Sequence, residues 1–532
     1  MDKGYSHCCS AIEHTLTRSV YLFKMWYFVL VFVIVLFLYS LRTLNYWKKR
    51  GIKHDPPIPF FGNNFRQFFQ QASMAMLATE AYNKYPNEKV VGFFRGMKPE
   101  LVIRDPEIAK RILITDFQHF YARGFNPHKT VIEPLLKNLF FADGDLWRLI
   151  RQRFTPAFST AKLKGMFPII TDRAEKLQII TEEVSHLDSY DVRELMARYT
   201  TDFIGACGFG ISMDSLSNEN SEFRRLGKRI FQRTPKDAVH AALKLLFPEL
   251  CKNLHFLDPE LEKSMTFLVQ TVMRERNYKH SGKNDFIDLM LELKEKGTII
   301  GESIESRNSD GTAKVVTMEM TEMIMIAQVF VFFGAGFETS STASSYTLHQ
   351  LAFNPEYQVK VQEEIDEVLK KYNNKITYEA VNEMTCLEKA FYEAMRMYPS
   401  VAYIVRMCTS PKYTIPEIGV TINEGVKVMI PIQAMHNDEK YFEEPEKFNP
   451  ERFNLGRKQF KDVFLPFGEG PRACVGERLG QMQSMAGLAA VLQKFTVEPA
   501  KCSVRDPKPE PTAIVAEGFV GGLPLKIRKR QT

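Results

Sequence analysis

The sequence lacks the features that mark several large classes of protein. Its eight cysteines are scattered without metal-finger spacing and are few for 532 residues, which argues against a disulfide-stapled secreted domain and favours a reducing compartment. Low-complexity tracts and internal repeats are also missing. The formal net charge of +7 is spread along the chain without a basic domain or a nucleic-acid motif, so we expect no nucleic-acid partner.

Aromatic residues are the unusual part of an otherwise ordinary globular composition, which is 45% hydrophobic and 25% charged. Phenylalanine occurs 41 times, with a cluster in the run VFVFF at Val329–Phe333. Such rings either pack a large core or line part of a large apolar cavity. Composition alone leaves both interpretations open.

One segment near the start departs from globular composition. Met25–Leu41 carries no charge and is almost wholly apolar, and as a helix it would extend roughly 26 Å, close to the thickness of a bilayer core. A cleaved signal peptide is the rival interpretation, but no alanine lies between Ala11 and Ala72 to form a small-residue cleavage site. We therefore predict a transmembrane signal anchor at 25–41, preceded at 1–24 by a short lumenal tail or a non-native extension.

Charges around the anchor predict its orientation. Basic residues follow it closely at Arg42, Lys48–Arg50 and Lys53, so the C-terminal side should face the cytosol. Three prolines stiffen the basic segment 42–59, which we predict to be an extended linker. The remainder, 60–532, is predicted to be one large catalytic domain.

Helical periodicity dominates beyond residue 60 and is interrupted by short β-rich runs, which predicts a mainly α fold with small β-sheets. The longest helical pattern, Met318–Leu348, is apolar on most faces and should pass through the centre of the protein. Before it, Glu302–Thr312 is rich in Ser, Gly, Asn and Asp, and we predict a flexible surface loop there with no chemical role.

The middle of the longest helical pattern contains GAGFETSST at Gly334–Thr342. Interior glycines cost a helix about 1 kcal/mol each relative to alanine, and Glu338 and Thr339 place an acid and a hydroxyl in a buried segment. One interpretation is a helix crossing that requires small residues. The other is that the glycines leave room for a ligand and loosen the helix, while Thr339 and Glu338 handle protons beside that ligand.

Two further patterns combine arginine with potential partners. Glu393 and Arg396 share a helix face at i, i+3, and Arg452 in FNPERF offers a second guanidinium to the same carboxylate, which suggests a buried network that holds the fold. In WRLIR, Trp147 and Arg151 form either a surface cation–π pair or two donors for a buried carboxylate ligand.

The strongest chemical signal is FLPFGEGPRACVG at Phe464–Gly476. Glycines such as Gly468 permit close approach of a flat ligand. Cys474 precedes a strong helix pattern, and the amide donors at a helix N-terminus favour a thiolate, so an axial metal ligand fits this position as well as the alternative of a buried thiol. Arg472 would pair with an anionic edge of the cofactor, and Phe467 would pack near the sulfur.

Together these patterns resemble the cytochrome P450 family of haem-thiolate monooxygenases. The family's cysteine loop, Phe-Gly-x-Gly-x-Arg-x-Cys-x-Gly, matches every fixed position of Phe467–Gly476, and its Ala-Gly-x-x-Thr matches Ala335, Gly336 and Thr339. Three other family motifs also match: Glu-x-x-Arg at Glu393 and Arg396, Pro-Glu-Arg-Phe at Pro450–Phe453, and Trp-x-x-x-Arg at Trp147 and Arg151. The helix and cysteine motifs are most similar to those of insect microsomal members that metabolise foreign compounds.

The resemblance implies the cofactor and its surroundings. The iron of haem b would be bound by Cys474, with O2 as co-substrate. Other residues would contact the haem or hold its propionates, namely Trp147, Arg151, Arg406, Arg472, Phe467, Gly468, Ala335 and Gly336. Protons for the reaction would come from Thr339 and Glu338. An apolar small molecule would bind over the haem, in a pocket that the resemblance assigns to Phe332, Phe333, Phe337, Val401, Ile404 and Phe519.

Electrons must come from another protein, because the chain contains neither a G-x-G-x-x-G dinucleotide loop nor a Walker loop. The resemblance implies an NADPH-dependent flavoprotein reductase on the endoplasmic reticulum membrane, with a small haem protein as a second electron donor. Arg148 and Arg153 are candidate contacts for an acidic partner surface.

Three functions are consistent with these residues. The first is a membrane-anchored monooxygenase of foreign apolar compounds. The second is a dedicated oxidase of one endogenous lipid or steroid hormone, which would share the fold and the haem chemistry. The third is a reductase-independent haem-thiolate isomerase or ligand-binding protein, against which the intact Gly336–Thr339 set argues.

Overall fold

The computed structural model describes residues 23–28, 30–31, 34–35, 37–126, 128, 130–211, 216, 222–231, 234–283 and 285–531. Most of the predicted extension 1–24 and four positions of the predicted anchor 25–41 lie outside these ranges. The described residues from 23 to 43 are helical, and every large apolar side chain described between 25 and 41 is at least 40% exposed. The described part of the chain therefore gives this apolar helix little to pack against.

The prediction of a mainly α fold with small sheets in one large domain is confirmed. Polar side chains cap several helices where they begin; Asp105 and Thr321, for example, accept hydrogen bonds from the first-turn amides of the helices that follow them. The α-helices of the described residues are α1 (Phe65–Phe68), α2 (Met74–Lys84), α3 (Pro106–Lys110), α4 (Gly144–Phe154), α5 (Thr160–Val184), α6 (Val192–Ile204), α7 (Glu222–Phe231), α8 (Pro235–Leu246), α9 (Pro259–Glu275), α10 (Phe286–Glu295), α11 (Glu322–Phe353), α12 (Pro355–Lys371), α13 (Tyr378–Glu383), α14 (Thr385–Met397), α15 (Ile432–His436) and α16 (Glu477–Lys494).

In the described ranges, four small sheets flank the helices. Their strands are β1 (Val90–Arg95), β2 (Lys98–Ile103), β3 (Tyr190–Asp191), β4 (Thr298–Arg307), β5 (Ala313–Glu319), β6 (Ile404–Met407), β7 (Lys412–Ile415), β8 (Val420–Asn423), β9 (Lys427–Ile430), β10 (Phe495–Pro499) and β11 (Pro524–Lys529). The largest sheet has the order β1-β2-β9-β6, with β2 and β9 parallel. The others are β10-β11-β3 and the pairs β4-β5 and β7-β8.

Helix α11 passes through the centre of the protein and packs against α6, α14 and α16. It begins later than the predicted Met318–Leu348, because Met318 and Glu319 belong to β5 and Thr321 caps the helix. Among the described helices it is the one long and apolar enough to cross a membrane, but most of its apolar part is buried inside the protein. It is therefore a core helix.

The prediction of a flexible loop at Glu302–Thr312 is wrong for much of its length. This segment contains the end of β4 and a tight turn into β5, in which the Thr312 amide donates to Asp310 Oδ1 at 2.9 Å. The flanking runs Thr298–Ile300 and Val315–Thr317 contain mostly β-branched residues and pair antiparallel. The prediction missed both strands, because the Ser, Gly, Asn and Asp residues around the turn dominate the composition of the segment.

This hairpin is docked on the N-terminus of α4. Asp145 accepts hydrogen bonds from Ser303 Oγ at 2.9 and 2.8 Å, and the Asp145 amide donates to Glu305 Oε2 at 3.2 Å. Helix α4 carries Trp147 and Arg151 within the next two turns. The hairpin therefore helps to fix the position of both predicted site residues.

The predicted linker 42–59 packs against the domain. Trp47 is fully buried, and its indole N–H donates to the carbonyl oxygen of Phe93 in β1 at 3.0 Å. Arg50 Nε donates to the carbonyl oxygen of Thr421 in β8 at 2.9 Å. The segment that follows the exposed apolar helix is thus held on the sheets well before residue 60.

Candidate functional site

The cysteine loop lies directly before α16. The Cys474 amide donates to the carbonyl oxygen of Phe467 at 2.8 Å, and the Ala473 amide donates to that of Gly470 at 2.9 Å, which closes the loop on itself. The Cys474 side chain is exposed, yet burial raises the pKa of its thiol. Its accessible surface therefore borders a space enclosed by the protein and not bulk water.

Glycine is required in this loop by the approach of another backbone. Gly470 has a φ of +74°, and a Cβ at that position would lie 2.0 Å from the carbonyl oxygen of Leu113. Gly468 has a φ of +72°, and an added Cβ would meet the Ile404 side chain at 3.5 Å. For Gly470 the close neighbour is the chain itself, while the approach of a flat ligand at Gly468 stays a prediction.

Arginine side chains from four segments converge on the loop. Arg151 Nη1 donates to the carbonyl oxygen of Ala473 at 2.9 Å, and the Arg472 guanidinium lies 4.2 Å over the Trp147 ring. Arg472 and Arg406 are both buried. Arg123, which the sequence analysis did not assign to the cofactor, places its guanidinium 3.5 Å from the carbonyl oxygen of Arg472.

This arginine cluster, formed by Arg123, Arg151, Arg406 and Arg472, has too little negative charge around it. Among the described residues, Asp143 is the one acidic side chain in salt-bridge contact with it, at 2.9 Å from Arg472 Nη2. Burial, together with a neighbouring arginine and against the opposing effect of Asp143, lowers the pKa of Arg123 to about 10 and that of Arg406 to about 9. Burial and the other arginines hold the pKa of Arg472 well below its ordinary value.

The cluster fits the propionates of the haem predicted from the sequence. In the described part of the chain, Arg472 Nη1 and Arg406 Nε are buried without a hydrogen-bond partner. Buried donors without acceptors are rare in folded proteins and costly. Anionic carboxylates placed among these guanidinium groups would supply both the missing acceptors and the missing charge.

Open space also borders the middle of α11. Ala335 is exposed although Gly334 and most residues of this core helix are buried. Helix α11 stays close to the start of α16, because an added Cβ on Gly480 would lie 3.5 Å from Ser340 Oγ. The exposed Ala335 and the exposed Cys474 therefore lie on neighbouring parts of the fold.

Gly336 serves the helix crossing. A Cβ at Gly336 would lie 2.2 Å from Cδ1 of Ile204 in α6, so glycine lets α11 and α6 cross closely without displacing this side chain. The helix is continuous from Glu322 to Phe353, without the loosening considered from the sequence. The need for small residues at a crossing thus explains Gly336, while Ala335 borders the open space.

The two residues predicted to handle protons point to different partners. Thr339 Oγ1 donates to the carbonyl oxygen of Ala335 at 2.7 Å, and the Thr339 carbonyl accepts from Ser400 Oγ at 3.0 Å. Glu338 Oε1 accepts from Arg193 Nη2 of α6 at 2.5 Å. The Glu338 carboxylate is therefore paired with Arg193, whereas the Thr339 hydroxyl lies beside Ala335.

The structure brings Glu393, Arg396 and Arg452 together. Glu393 and Arg396 are fully buried, with Arg396 Nε and Nη2 each 2.9 Å from a Glu393 carboxylate oxygen, and Arg452 Nε lies 3.2 Å from Glu393 Oε1. Arg396 also donates to the carbonyl oxygen of His436 at 3.0 Å and to that of Pro445 at 2.7 Å. The network thus ties α14 to the segment before the cysteine loop.

His436 extends this network to the cysteine loop and was missed by the sequence analysis. Its Nε2 accepts from the Leu465 amide at 2.9 Å, and the Leu465 carbonyl oxygen accepts from the Gly468 amide at 3.0 Å. Burial, and then the nearby Arg396, lowers the pKa of His436 to about 3, so the ring is a neutral acceptor. A single histidine without a spacing pattern gives no local signal for this role.

The predicted pocket residues are only partly brought to open space. Val401 and Ile404 are half-buried, and Ile404 lies beside the cysteine loop at Gly468. Phe333 and Phe337 are buried in the core. Two others stack on aromatic neighbours: Phe332 lies 3.6 Å from Phe286, and Phe519 lies 5.0 Å from Tyr346 and 5.3 Å from Tyr398 between ring centroids.

A cysteine directly before a helix, with buried arginine donors beside it that have no partner, fits the haem-thiolate site expected from the sequence. The family model described as cytochrome P450 matches residues 53–518. Cytochrome P450 6B2 of Helicoverpa armigera is 38% identical over 518 residues, covering 95% of this chain and 99% of that protein. Cytochrome P450 6a2 of Drosophila melanogaster is 36% identical over 522 residues, covering 94% and 100%.

The chain belongs to the cytochrome P450 family. This confirms the family, the fold class and the enzyme class predicted from the sequence, namely a haem-dependent monooxygenase that uses O2. A third relative, cytochrome P450 6B1 of Papilio polyxenes, is 37% identical over 499 residues and covers 92% of this chain and 97% of that protein.

Proposed function

We propose that the protein is a monooxygenase of the endoplasmic reticulum that oxidises foreign apolar compounds, with electrons from an NADPH-dependent flavoprotein reductase. The observation that carries the proposal is the accessible surface that Cys474 and Ala335 keep in otherwise packed surroundings, which we interpret as two sides of an enclosed substrate space. Ala335 is small and apolar, and Phe332, Val401 and Ile404 are the predicted pocket residues with accessible surface. Such a space suits an apolar small molecule better than a charged one.

The residues of the candidate site have separate roles in this proposal. Bound haem supplies activation of dioxygen, so that one oxygen atom enters the substrate and the other leaves as water. Cys474 would provide the thiolate ligand, and the arginine cluster would bind the propionates. Thr339 holds a proton at Oγ1 in the same helix turn as Ala335, and Arg193 orients the Glu338 carboxylate.

The electron donor would approach near α4. Arg153 is exposed, whereas the Arg148 guanidinium lies 4.0 Å from the Glu302 carboxylate of the hairpin. Arg153 is therefore the better candidate of the two for an acidic partner surface, either of the reductase or of a small haem protein.

A single-pass anchor at 25–41 would place this domain on the cytosolic face of the membrane. Two features support it: the described apolar side chains of that helix are exposed, and basic residues follow it. A protease added to intact microsomes should digest the domain after residue 60. Protection until detergent is added would overturn the cytosolic orientation.

The function is tested with purified enzyme, reductase and NADPH. The reduced carbon monoxide complex should show the red-shifted Soret band of thiolate ligation, and Cys474→Ala should remove it. Product analysis over a panel of apolar compounds then separates the substrate classes. Broad, slow turnover supports the proposal, whereas one fast substrate would assign the protein to an endogenous lipid or steroid hormone.

A further inference from the structure

Glu517 is held beside the core helix by its backbone. It lies in the loop between β10 and β11, where its amide donates to the carbonyl oxygen of Ser400 at 3.0 Å and its carbonyl oxygen accepts from Tyr346 Oη at 2.8 Å. Ser400 in turn donates to the carbonyl oxygen of Thr339 at 3.0 Å. Glu517 is thus fixed next to the turn of α11 that contains Ala335 and Thr339.

The carboxylate of Glu517 takes no part in these contacts. In the part of the chain that the structure describes, no donor and no basic side chain pairs with it. The nearest candidate, Arg193, lies against the next residue, because a Cβ on Gly518 would be 2.8 Å from its Nη1, but this arginine is paired with Glu338. Burial raises the pKa of Glu517 to about 7.

The surroundings of Glu517 are poor in water and in free charge. The residue is half-buried by surface area, and desolvation is strong enough to perturb its carboxyl, so the carboxylate does not face open solvent. Burial also raises the pKa of Tyr346 and Tyr403, so these phenols stay neutral, and Arg193 and Glu338 offset each other's charge.

We propose that Glu517 is a recognition site for substrates that carry a cationic nitrogen on an otherwise apolar body. The carboxylate would accept a charge-assisted hydrogen bond from a protonated amine, while the apolar body lies along the α11 side of the cavity. The inference rests on the proposed function, since it assumes that the enclosed space is the substrate cavity. A carboxylate left without a partner in such a space is costly, and a bound cation removes that cost.

The expected effect follows from the strength of hydrogen bonds to charged groups. Losing one such bond in an enclosed site weakens binding on the order of tenfold to a hundredfold. Neutral apolar compounds of the same shape should not depend on the carboxylate. The ratio of the two affinities therefore isolates the contribution of Glu517.

Binding is measured by equilibrium dialysis of the full-length holoenzyme with N,N-dimethyl-4-phenylbutylamine and its uncharged carbon isostere 5-methyl-1-phenylhexane. Glu517→Gln should weaken amine binding at least tenfold and leave binding of the isostere unchanged. Glu517→Asp keeps the charge and should retain part of the preference. Glu498→Gln, which removes a carboxylate that is 43% exposed on β10, is the matched control and should behave as wild type.

The carbon monoxide spectrum verifies that each variant keeps its thiolate-bound haem. An unchanged ratio of amine to isostere affinity in Glu517→Gln overturns the inference, as does an equal change in Glu498→Gln. Turnover with reductase and NADPH is scored separately. If wild type oxidises neither compound nor any of the apolar panel, the proposed function fails, while a preference lost in Glu517→Gln would still support the recognition site.

Discussion

Replacing His436 with leucine should loosen the cysteine loop without touching the cysteine. His436 is fully buried, with its ring 5.1 Å from the Phe464 ring, and its Nε2 is the acceptor for the amide of buried Leu465. Leucine fills much of the same volume but leaves that amide without an acceptor. The loop that carries Phe467 and Cys474 begins directly after Leu465.

The magnitude follows from one buried donor left unpaired. Such a group costs about 1–3 kcal/mol, which shifts the balance between ligating and displaced loop by about 5- to 150-fold. His436→Gln is the matched control, because an amide oxygen can reach the position of Nε2 and retain the acceptor. We therefore expect a large loss for leucine and a small one for glutamine.

The assay is the fraction of the reduced carbon monoxide complex that shows the red-shifted Soret band, together with the rate of haem loss to an acceptor protein. If His436→Leu has the same fraction of red-shifted band and the same rate of haem loss as wild type and His436→Gln, the proposed linkage from Arg396 through His436 to Cys474 is refuted. Equal damage by both substitutions would show that ring packing matters and the hydrogen bond does not.

The same histidine predicts a pH dependence. Its pKa is about 3 in the folded protein and about 6.5 in an unfolded chain, so the unfolded state binds the proton first. This contribution to stability is complete above about pH 6.5 and is lost progressively as the pH falls toward about 3. Between pH 7 and pH 5, the urea concentration that removes half of the red-shifted band should fall less in His436→Gln than in wild type.

Three further outcomes are expected. Thr339→Ala should retain haem but release more hydrogen peroxide and less product per NADPH, and unchanged coupling would leave its hydroxyl with only its bond to a helix carbonyl. Ser303→Ala removes the hydroxyl donor to Asp145 and should speed haem loss severalfold, whereas Ser309→Ala at the hairpin turn should not. Gly470→Ala should prevent formation of holoenzyme, because its Cβ would lie 2.0 Å from a backbone oxygen; a normal yield would contradict the loop geometry.

Local patterns allowed the core of the site to be predicted. The apolar period of α11, the glycines around Cys474 and the i, i+3 spacing of Glu393 and Arg396 are each contained in a short stretch of sequence. The boundaries were less accurate, since the β-branched strands of the hairpin were hidden by the composition of its turn. Helix α11 consequently begins after the predicted residue.

Partners from distant parts of the chain could not be predicted. Arg123 and Asp143 join the arginine cluster through contacts that no spacing rule describes, and Arg193 pairs with Glu338 across 145 residues. Glu517 is similar, since only the fold places it beside α11. In each case one isolated polar residue acquires its role from tertiary packing.

The distances along the chain between the parts of the arginine cluster have a consequence for the order of folding. Arg472 and Asp143 are 329 residues apart, and Arg151 and Ala473 are 322 apart. Closing loops of this length costs entropy that local contacts must first offset, so helices should form well before these pairs meet.

Mutual repulsion among the guanidinium groups delays that meeting further. Until the propionates arrive, this region should be the last part of the domain to become ordered and the first to open again. Capture of haem would then act as the closing step of biosynthesis. A cell short of haem would accumulate chains that are folded elsewhere and open to proteases at the cysteine loop.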